Sequence, residues 1–162
     1  MRRRVIEWDD PLESASRAQG ATGLQHLEAM VRGEVPPPPM AKLMGMRLVA
    51  VAEGQAEFRC VPDESVYNTI GTVHGGFVCT LLDSAAGCAV QTTLPEGWGY
   101  TSVDITVSYL RPLHHDSGEV TCIGTVVKPG RRMAFAEARV LDGAGKLMAT
   151  ATSSLLVIAP AG

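Results

Sequence analysis

Apolar and polar residues alternate along much of the second half of the chain, which predicts β-strands with one buried face. The segment Tyr100–Leu110 has the clearest alternation. Its predicted apolar face consists of Val103, Ile105, Val107 and Tyr109. Its predicted polar face consists of Ser102, Asp104, Thr106 and Ser108.

Six strands are predicted when the turn residues between the apolar runs are taken into account. Two lie before a long apolar segment and four lie after it. Their predicted ranges are Met46–Ala52, Gln55–Val61, Tyr100–Leu110, Glu119–Val127, Met133–Leu141 and Lys146–Ile158.

The long apolar segment runs from Gly75 to about Thr92 and predicts a helix, because it is rich in alanine and leucine and contains no proline. Between Glu64 and Glu96 there is no lysine or arginine, and the only acidic residue is Asp83. A helix that is apolar on all sides must be buried on nearly all sides. We therefore expect an α+β fold, in which one antiparallel sheet curls around this helix and a second copy of the chain covers its open face.

The N-terminal part of the chain predicts a separate arm. Thr22 and Gln25 have the spacing of a capping box, which predicts a short helix that Gly33 can end. The run Pro36–Pro39 predicts a stiff, extended spacer. We accordingly divide the chain into an arm of residues 1–40 and a domain of residues 41–160.

Composition and charge exclude several classes of protein. A chain of 162 residues with 46% hydrophobic and 19% charged residues is typical of one globular domain. Its formal net charge of −3 argues against a nucleic-acid partner. No apolar run approaches the length of a membrane span, and Arg2–Arg4 are not followed by the apolar stretch of a signal peptide. We therefore expect a cytoplasmic protein with reduced cysteines and no membrane partner.

Asp83 is the first candidate for chemistry, because a lone carboxylate within an apolar helix is energetically unfavourable. It either meets a structural partner or water, or it is a functional acid. Gly75 and Gly76 stand where the helix begins, and the first amides of a helix have no internal partner and carry the positive end of its dipole. They predict an oxyanion hole or a tight turn. His74 and Asn68 flank this point, where they either orient a substrate or satisfy and shape the loop.

The spacing of these candidates favours a dimer. Asp83 lies eight residues after Gly75, which is ~12 Å along one helix. A base and an oxyanion hole that act on one carbonyl must both lie within a few ångströms of it. Two such helices, packed antiparallel, would place Asp83 of one chain beside Gly75 of the other.

These residues form a recognisable pattern. Tyr67-Asn68-x-x-Gly71-x-Val73-His74-Gly75-Gly76, then Leu82-Asp83, then the segment from Ser102 to Pro112 resemble the hotdog-fold acyl-CoA thioesterases, in particular the phenylacetate-degradation (PaaI-like) type. The resemblance spans roughly Ala41 to Ile158. It implies a hotdog fold, in which a sheet of about six strands wraps one central helix, with an extra N-terminal helix here. It also implies homodimers with a continuous sheet, and tetramers in many members.

The resemblance also implies roles for the candidate residues. The Gly75 amide, with Asn68 nearby, would polarise a thioester carbonyl. Asp83 of the partner chain would act as general base or nucleophile, and Ser102 of that same partner chain, or Thr101 in its place, would help to place the attacking water. His74 would order the site. The products would be a carboxylic acid and free CoA, with no cofactor and no metal, because a thioester is already activated.

The phosphates of an acyl-CoA substrate would need cations. Arg111, Lys128, Arg131 and Arg132 lie at predicted strand ends and turns, where they either bind CoA or form ordinary exposed basic turns. Gly76 would let the substrate approach the helix closely. His114-His115-Asp116 has no further ligand in the sequence and is interpreted as a solvated loop.

Two other functions remain as alternatives. A hotdog dehydratase acting on hydroxyacyl thioesters is disfavoured by the Asn-x5-His-Gly-Gly pattern. A non-catalytic acyl-CoA sensor is disfavoured because the first 40 residues are too short and too mixed in charge for an appended DNA-binding segment. The acyl group stays open between aryl-acetyl, other aromatic and medium-chain groups. Candidate pocket residues are Met44, Met46, Phe77 and Leu81.

Overall fold

The computed structural model describes residues 1–16 and 19–160, and in them six antiparallel strands surround one long helix. The strands are β1 (Met46–Ala52), β2 (Gln55–Cys60), β3 (Gly99–Tyr109), β4 (Val120–Lys128), β5 (Met133–Leu141) and β6 (Leu147–Ile158). The helices are α1 (Pro11–Ser16), α2 (Gly23–Val31), α3 (Pro39–Met44) and α4 (Gly75–Gln91), with a 3₁₀ turn over Glu64–Val66. The strand order is β1-β2-β4-β5-β6-β3, so β1 and β3 are the edges.

The predicted fold class is confirmed. Each predicted strand, and the helix α4, is present with its ends within one residue of the expected positions. All neighbouring strands pair antiparallel. The core lies between the concave face of the sheet and α4, whose Leu81, Leu82 and Val90 are fully buried. Each such burial contributes ~1.5–3 kcal/mol to stability.

One stripe of α4 is less buried than the rest, and it contains Gly75, Gly76, Cys79 and Asp83. These positions recur at helical spacing and therefore lie on one face. The open face that the sequence predicted is thus the face that carries the candidate chemistry.

A β-bulge in β3 changes the predicted faces of this strand. Ser102 pairs with Leu155 and Asp104 pairs with Ser154, so Val103 has no opposite residue. Val103 is 59% exposed, whereas Ile105 and Val107 pack against the core. The predicted placement of Ser102 on the opposite face from Ile105 is therefore wrong. The extra residue turns Ser102 towards α4, where its hydroxyl contacts Asp83.

The N-terminal segment packs on the sheet and on α4. The predicted capping box of α2 is present, since the Thr22 hydroxyl accepts from the Gln25 amide at 3.3 Å and the Gln25 side chain accepts from the Thr22 amide at 2.9 Å. The Gly23 amide donates to the Leu94 carbonyl at 3.0 Å. A Cβ atom at Gly23 would overlap the Gln91 carbonyl oxygen, so only glycine allows this close approach.

The proline run is not wholly extended. Pro39 begins α3, where the missing N–H of proline is tolerated, and Gly45 ends the helix in a left-handed conformation with φ 64°. Both α2 and α3 contact β1. The division into an arm of 1–40 and a domain of 41–160 stays a prediction, although the segment from Gly23 onwards packs against the domain rather than lying apart from it.

None of the helices in the described part of the chain is long and apolar enough to cross a membrane. The four cysteines, Cys60, Cys79, Cys88 and Cys122, are free thiols.

Candidate active site

The site is built at the N-terminus of α4, where His74 is the capping residue. Its Nδ1 accepts a hydrogen bond from the Gly76 amide at 2.8 Å. Because Nδ1 is the acceptor, a neutral His74 ring carries its proton on Nε2. The His74 amide donates to the Val66 carbonyl at 2.8 Å, which ties the start of the helix to the preceding loop.

The amide of Gly75 is the open donor at this helix end. The Gly76 amide is occupied by His74, whereas no hydrogen bond found within residues 1–16 and 19–160 uses the Gly75 amide. A free N–H at the positive end of a helix dipole is suited to hold a developing negative charge. Of the two predicted glycines, Gly75 therefore has the geometry of an oxyanion donor.

Tyr109 holds Gly75 in place, a contact that the sequence analysis missed. The Tyr109 hydroxyl donates to the Gly75 carbonyl at 3.0 Å. A Cβ atom at Gly75 would lie 3.2 Å from the tyrosine ring, so a larger residue here would push the ring away. The apolar alternation of the strand placed Tyr109 on the helix-facing side but gave no sign of this hydrogen bond.

Asp83 lies one turn beyond Cys79 on the open stripe of α4 and is half-buried rather than buried. Its Oδ1 accepts from the Ser102 hydroxyl of the same chain at 2.7 Å. A hydrogen bond to a carboxylate is short and strong, and it orients the Asp83 side chain. The structure thus brings together Asp83 and Ser102 because the bulge at Val103 turns Ser102 inwards.

Asp83 and Gly75 are not brought together within one chain. Both belong to α4, Gly75–Gln91, and eight residues of helix separate them by ~12 Å. A site that uses both groups on one atom therefore requires two chains.

Asn68 organises the loop before α4. Its Oδ1 accepts from the amides of Ile70 at 3.0 Å and Thr72 at 3.1 Å, and its Nδ2 donates to the Thr72 hydroxyl at 2.9 Å. These are the contacts of a turn-forming residue. The second hydrogen on Nδ2 is left for another acceptor.

The four candidate cations lie at two different ends of β6. Arg111 donates through Nη1 to the Leu147 carbonyl at 2.7 Å. Arg132 is at the other end, where its carbonyl accepts from the Val157 amide at 2.9 Å. The rise of an extended strand separates these ends by about 30 Å. Lys128, Arg131 and Arg132 share the exposed β4–β5 turn, so within one chain Arg111 cannot bind the same phosphate as they do.

A cavity of about 430 Å³ opens beside Asp83. Met46, one of the four candidate pocket residues, lines this cavity. Phe77 and Leu81 are instead buried in the core, with 6% and 1% of their surface exposed. Met44 packs against the core from the edge.

His115, in the loop after β3, has a structural contact. The Tyr67 hydroxyl and His115 Nδ1 are 2.8 Å apart, and the His115 amide also donates to that hydroxyl at 2.8 Å. Among the described residues no three His, Cys, Asp or Glu side chains come together as a metal site.

Known proteins of one family resemble this chain. The thioesterase superfamily model matches residues 70–149, which contain α4, β3, β4, β5 and the start of β6. Human acyl-coenzyme A thioesterase 13 is 32% identical over 103 residues, which are 63% of this chain and 72% of that protein.

Two solved structures share the fold. A thioesterase family protein from Silicibacter pomeroyi has a TM-score of 0.73 and 28% identity, covering 82% of this chain and 98% of that chain. A phenylacetic acid degradation-related protein from Ralstonia eutropha JMP134 has a TM-score of 0.73 and 29% identity, covering 80% of this chain and 98% of that chain.

The chain belongs to the thioesterase superfamily, and its helix-wrapping sheet is the hotdog fold of that family. It is a thioester hydrolase. The resemblance to PaaI-like thioesterases that the sequence pattern indicated is confirmed.

Proposed function

We propose that this protein hydrolyses acyl-CoA thioesters to a carboxylic acid and free CoA. The observation that carries the proposal is the Asp83 carboxylate, held by the Ser102 hydroxyl at 2.7 Å at the wall of an apolar cavity. An oriented carboxylate beside space for an apolar group suits the attack of water on an activated acyl carbon. The name of the human relative, an acyl-coenzyme A thioesterase, points to the same substrate class.

The reaction follows from the roles of the residues. The Gly75 amide stabilises the negative charge that develops on the thioester oxygen. Asp83 either removes a proton from a water that attacks the carbonyl carbon, or attacks that carbon itself to give an anhydride that water then hydrolyses. In both routes the C–S bond breaks, the acid is released, and the CoA sulfur leaves as a thiol. Ser102 orients Asp83 and the water, while His74 fixes the helix end.

The proposed active form is at least a dimer. Since ~12 Å separates Asp83 from Gly75 on α4, each site takes Asp83 and Ser102 from one chain and Gly75 from its partner. The edge strand β3 is eleven residues long, and a long exposed edge is suited to pair with another strand. Pairing of two β3 edges would bring two α4 helices alongside each other and form a continuous sheet. A further pairing of dimers into tetramers stays a prediction.

CoA is proposed to lie across the open stripe of α4. Gly76 permits close approach at the helix end, and Asn68 retains one amide hydrogen for the substrate. Arg111 at one end of the sheet, and the turn with Lys128, Arg131 and Arg132 at the other, would bind different phosphates. The cytoplasmic location also stays a prediction.

The test is CoA release from acyl-CoA thioesters by wild type and Asp83→Asn. The variant keeps the size of the side chain but loses its charge and basicity, so kcat should fall about 10²–10⁴-fold. Asp116→Asn is the matched control, since Asp116 is an exposed carboxylate in the loop between β3 and β4, outside the proposed dimer edge, and its turnover should equal that of wild type. Retention of wild-type turnover by Asp83→Asn would contradict the proposal. Tight acyl-CoA binding without any turnover in wild type would instead favour the sensor function.

A further inference from the structure

The N-terminal segment forms one wall of the cavity beside Asp83. Residues of α2, α3 and the prolines between them lie on one side, and residues of β1, β2, β3 and α4 close the others. Leu27 and Met30 of α2 face this space together with Leu48 and Phe58 of the sheet. The volume of about 430 Å³ is in the range of sites that hold small molecules, ~300–1,000 Å³.

The charges around the cavity exclude the nucleotide end of CoA. Asp83 and Arg47 are the charged residues of its lining. Arg47 already donates to Glu119 at 2.8 Å, and Glu119 also pairs with Arg59 at 3.6 Å. A phosphate in this cavity would meet the negative charge of Asp83 without an unpaired cation, which is unfavourable. The cavity therefore suits an uncharged, apolar group.

The position of Asp83 decides which group that is. A thioester whose carbonyl carbon lies at Asp83 has an acyl group on one side and CoA on the other. On the CoA side, the pantetheine arm next to the sulfur carries amide groups, which the largely apolar lining would leave without hydrogen-bond partners, and it leads to the phosphates that this cavity excludes. The acyl group is therefore the part of the substrate that fits. The geometry points to this cavity as the acyl site, and to Met30 of α2 as a residue that limits the size of the acyl group. This inference rests on the proposed function, and it assigns the limit on acyl size to a segment that precedes the part of the chain matched by the family model, residues 70–149. The substrates that fit are thioesters of uncharged acyl groups larger than acetyl.

The first test compares two methionine-to-tryptophan changes in the same N-terminal segment. Met30→Trp fills the cavity with a large ring, whereas Met40→Trp alters an exposed side chain, 49% accessible, outside the lining. In wild type, kcat/KM should be higher for hexanoyl-CoA and phenylacetyl-CoA than for acetyl-CoA. Met30→Trp should lower the hexanoyl-to-acetyl ratio of kcat/KM by about tenfold or more. Met40→Trp should leave this ratio unchanged.

Met30→Ala provides a second test if the tryptophan variant does not fold. Removing side-chain volume from the wall should raise the octanoyl-to-hexanoyl ratio of kcat/KM. An unchanged ratio in each folded Met30 variant, or an equal change in Met30→Trp and Met40→Trp, would overturn the assignment of the acyl site.

A binding measurement separates this inference from the proposed hydrolysis. The probe is hexyl-CoA, a thioether that cannot be hydrolysed, titrated calorimetrically into wild type, Met30→Trp and Met40→Trp. Weaker binding to Met30→Trp alone supports the acyl site, even if wild type turns over no thioester and the proposed function fails. The opposite outcome is normal turnover, with the same hexanoyl-to-acetyl ratio of kcat/KM and the same hexyl-CoA affinity in all three proteins. It would overturn the assignment of the acyl site and leave the proposed function intact.

Discussion

The hydroxyl group of Tyr109 fixes the residue that supplies the proposed oxyanion donor, since it donates to the Gly75 carbonyl at 3.0 Å. Tyr109→Phe removes this bond and leaves the ring against Gly75. Because one hydrogen bond contributes about 0.5–1.5 kcal/mol, kcat should fall about two- to tenfold while KM changes little. Steady-state kinetics over a range of substrate concentrations give kcat and KM separately and so test this expectation.

Tyr67→Phe is the matched control, because the Tyr67 hydroxyl bonds to His115 instead. Its kcat should equal that of wild type. If Tyr109→Phe lowers only the melting temperature and leaves kcat unchanged, the tyrosine has no role in positioning Gly75.

Cys79 reports on the charge of Asp83, one helical turn away. Partial burial and the negative charge of Asp83 both raise the pKa of the Cys79 thiol. Burial raises the pKa of Cys60 and of Cys88 to about 12, so these thiols stay protonated at pH 8. Asp83→Asn should lower the pKa of Cys79 and speed its alkylation.

The alkylation rate at Cys79 can be followed with iodoacetamide and peptide mass spectrometry between pH 7 and 9. Since the thiolate is the reactive form, the rate-against-pH curve of Asp83→Asn should shift to lower pH. Coincident curves for Asp83→Asn and Asp116→Asn would show that the Asp83 carboxylate does not act on this thiol.

At the scale of elements, the docking of α2 depends on the absence of a side chain at Gly23. Gly23→Ala introduces a Cβ that overlaps the Gln91 carbonyl oxygen, which forces α2 away from α4. Overpacking of this kind destabilises by about 1–3 kcal/mol. Thermal unfolding should therefore show a melting temperature lower by several degrees.

Gly99→Ala is the control for this substitution. A Cβ atom at Gly99 would meet no other group within 4 Å, and the backbone there is not left-handed. An equal effect of the two substitutions on the melting temperature would mean that the loss of glycine itself, and not the docking of α2, matters.

The elements that the sequence predicted well are those with a regular period. Alternation from Tyr100 to Leu110 located β3, and the apolar run of α4, with Asp83 as its one charged residue, leaves no choice but burial. The bulge at Val103 could not be predicted, because one extra residue has no compositional signal and yet inverts the faces on either side of it. α3 was missed because a run of prolines is typical of an extended spacer, although proline also suits the first turn of a helix.

For the site, the sequence predicted the parts but not their contacts. The pairing of Asp83 with Ser102 and the cap formed by His74 agree with residues that the motif singled out. The hydroxyl of Tyr109 and the cavity under α2 were not predicted, because they depend on how distant segments pack. The catalytic roles of Asp83, Ser102 and Gly75 stay predictions.

At the scale of the whole molecule, the arrangement across two chains has a direct test. Asp83→Asn should lower turnover by about 10²-fold or more. Gly75→Val keeps the backbone amide, but its side chain would crowd the Tyr109 ring, 3.2 Å from a Cβ at this position, and block the approach of the thioester oxygen, so turnover should fall here too. In a mixed dimer, one site combines the intact Asp83 of one chain with the intact Gly75 of the other. Equal amounts of the two variants are refolded together. Half of the dimers are then mixed, and each mixed dimer has one intact site out of two, so about a quarter of wild-type activity should return.

Co-refolding each variant with itself is the control and should restore nothing. If the mixture also stays inactive while sedimentation shows mixed dimers, then Asp83 and Gly75 do not act together across chains.

The wall of the cavity beside Asp83 comes in part from a segment that precedes the first strand. This arrangement divides the molecule into a framework of sheet and central helix and a cover formed by the N-terminal segment that packs on it. Residues 32–38 connect α2 to α3 outside every strand pairing. Insertions or deletions there can reshape the cavity without disturbing the hydrogen-bonded sheet, since loops tolerate changes in length far better than strands do. Evolution and protein engineering can therefore vary the shape of the space next to Asp83 by exchanging this cover alone, with the framework kept intact.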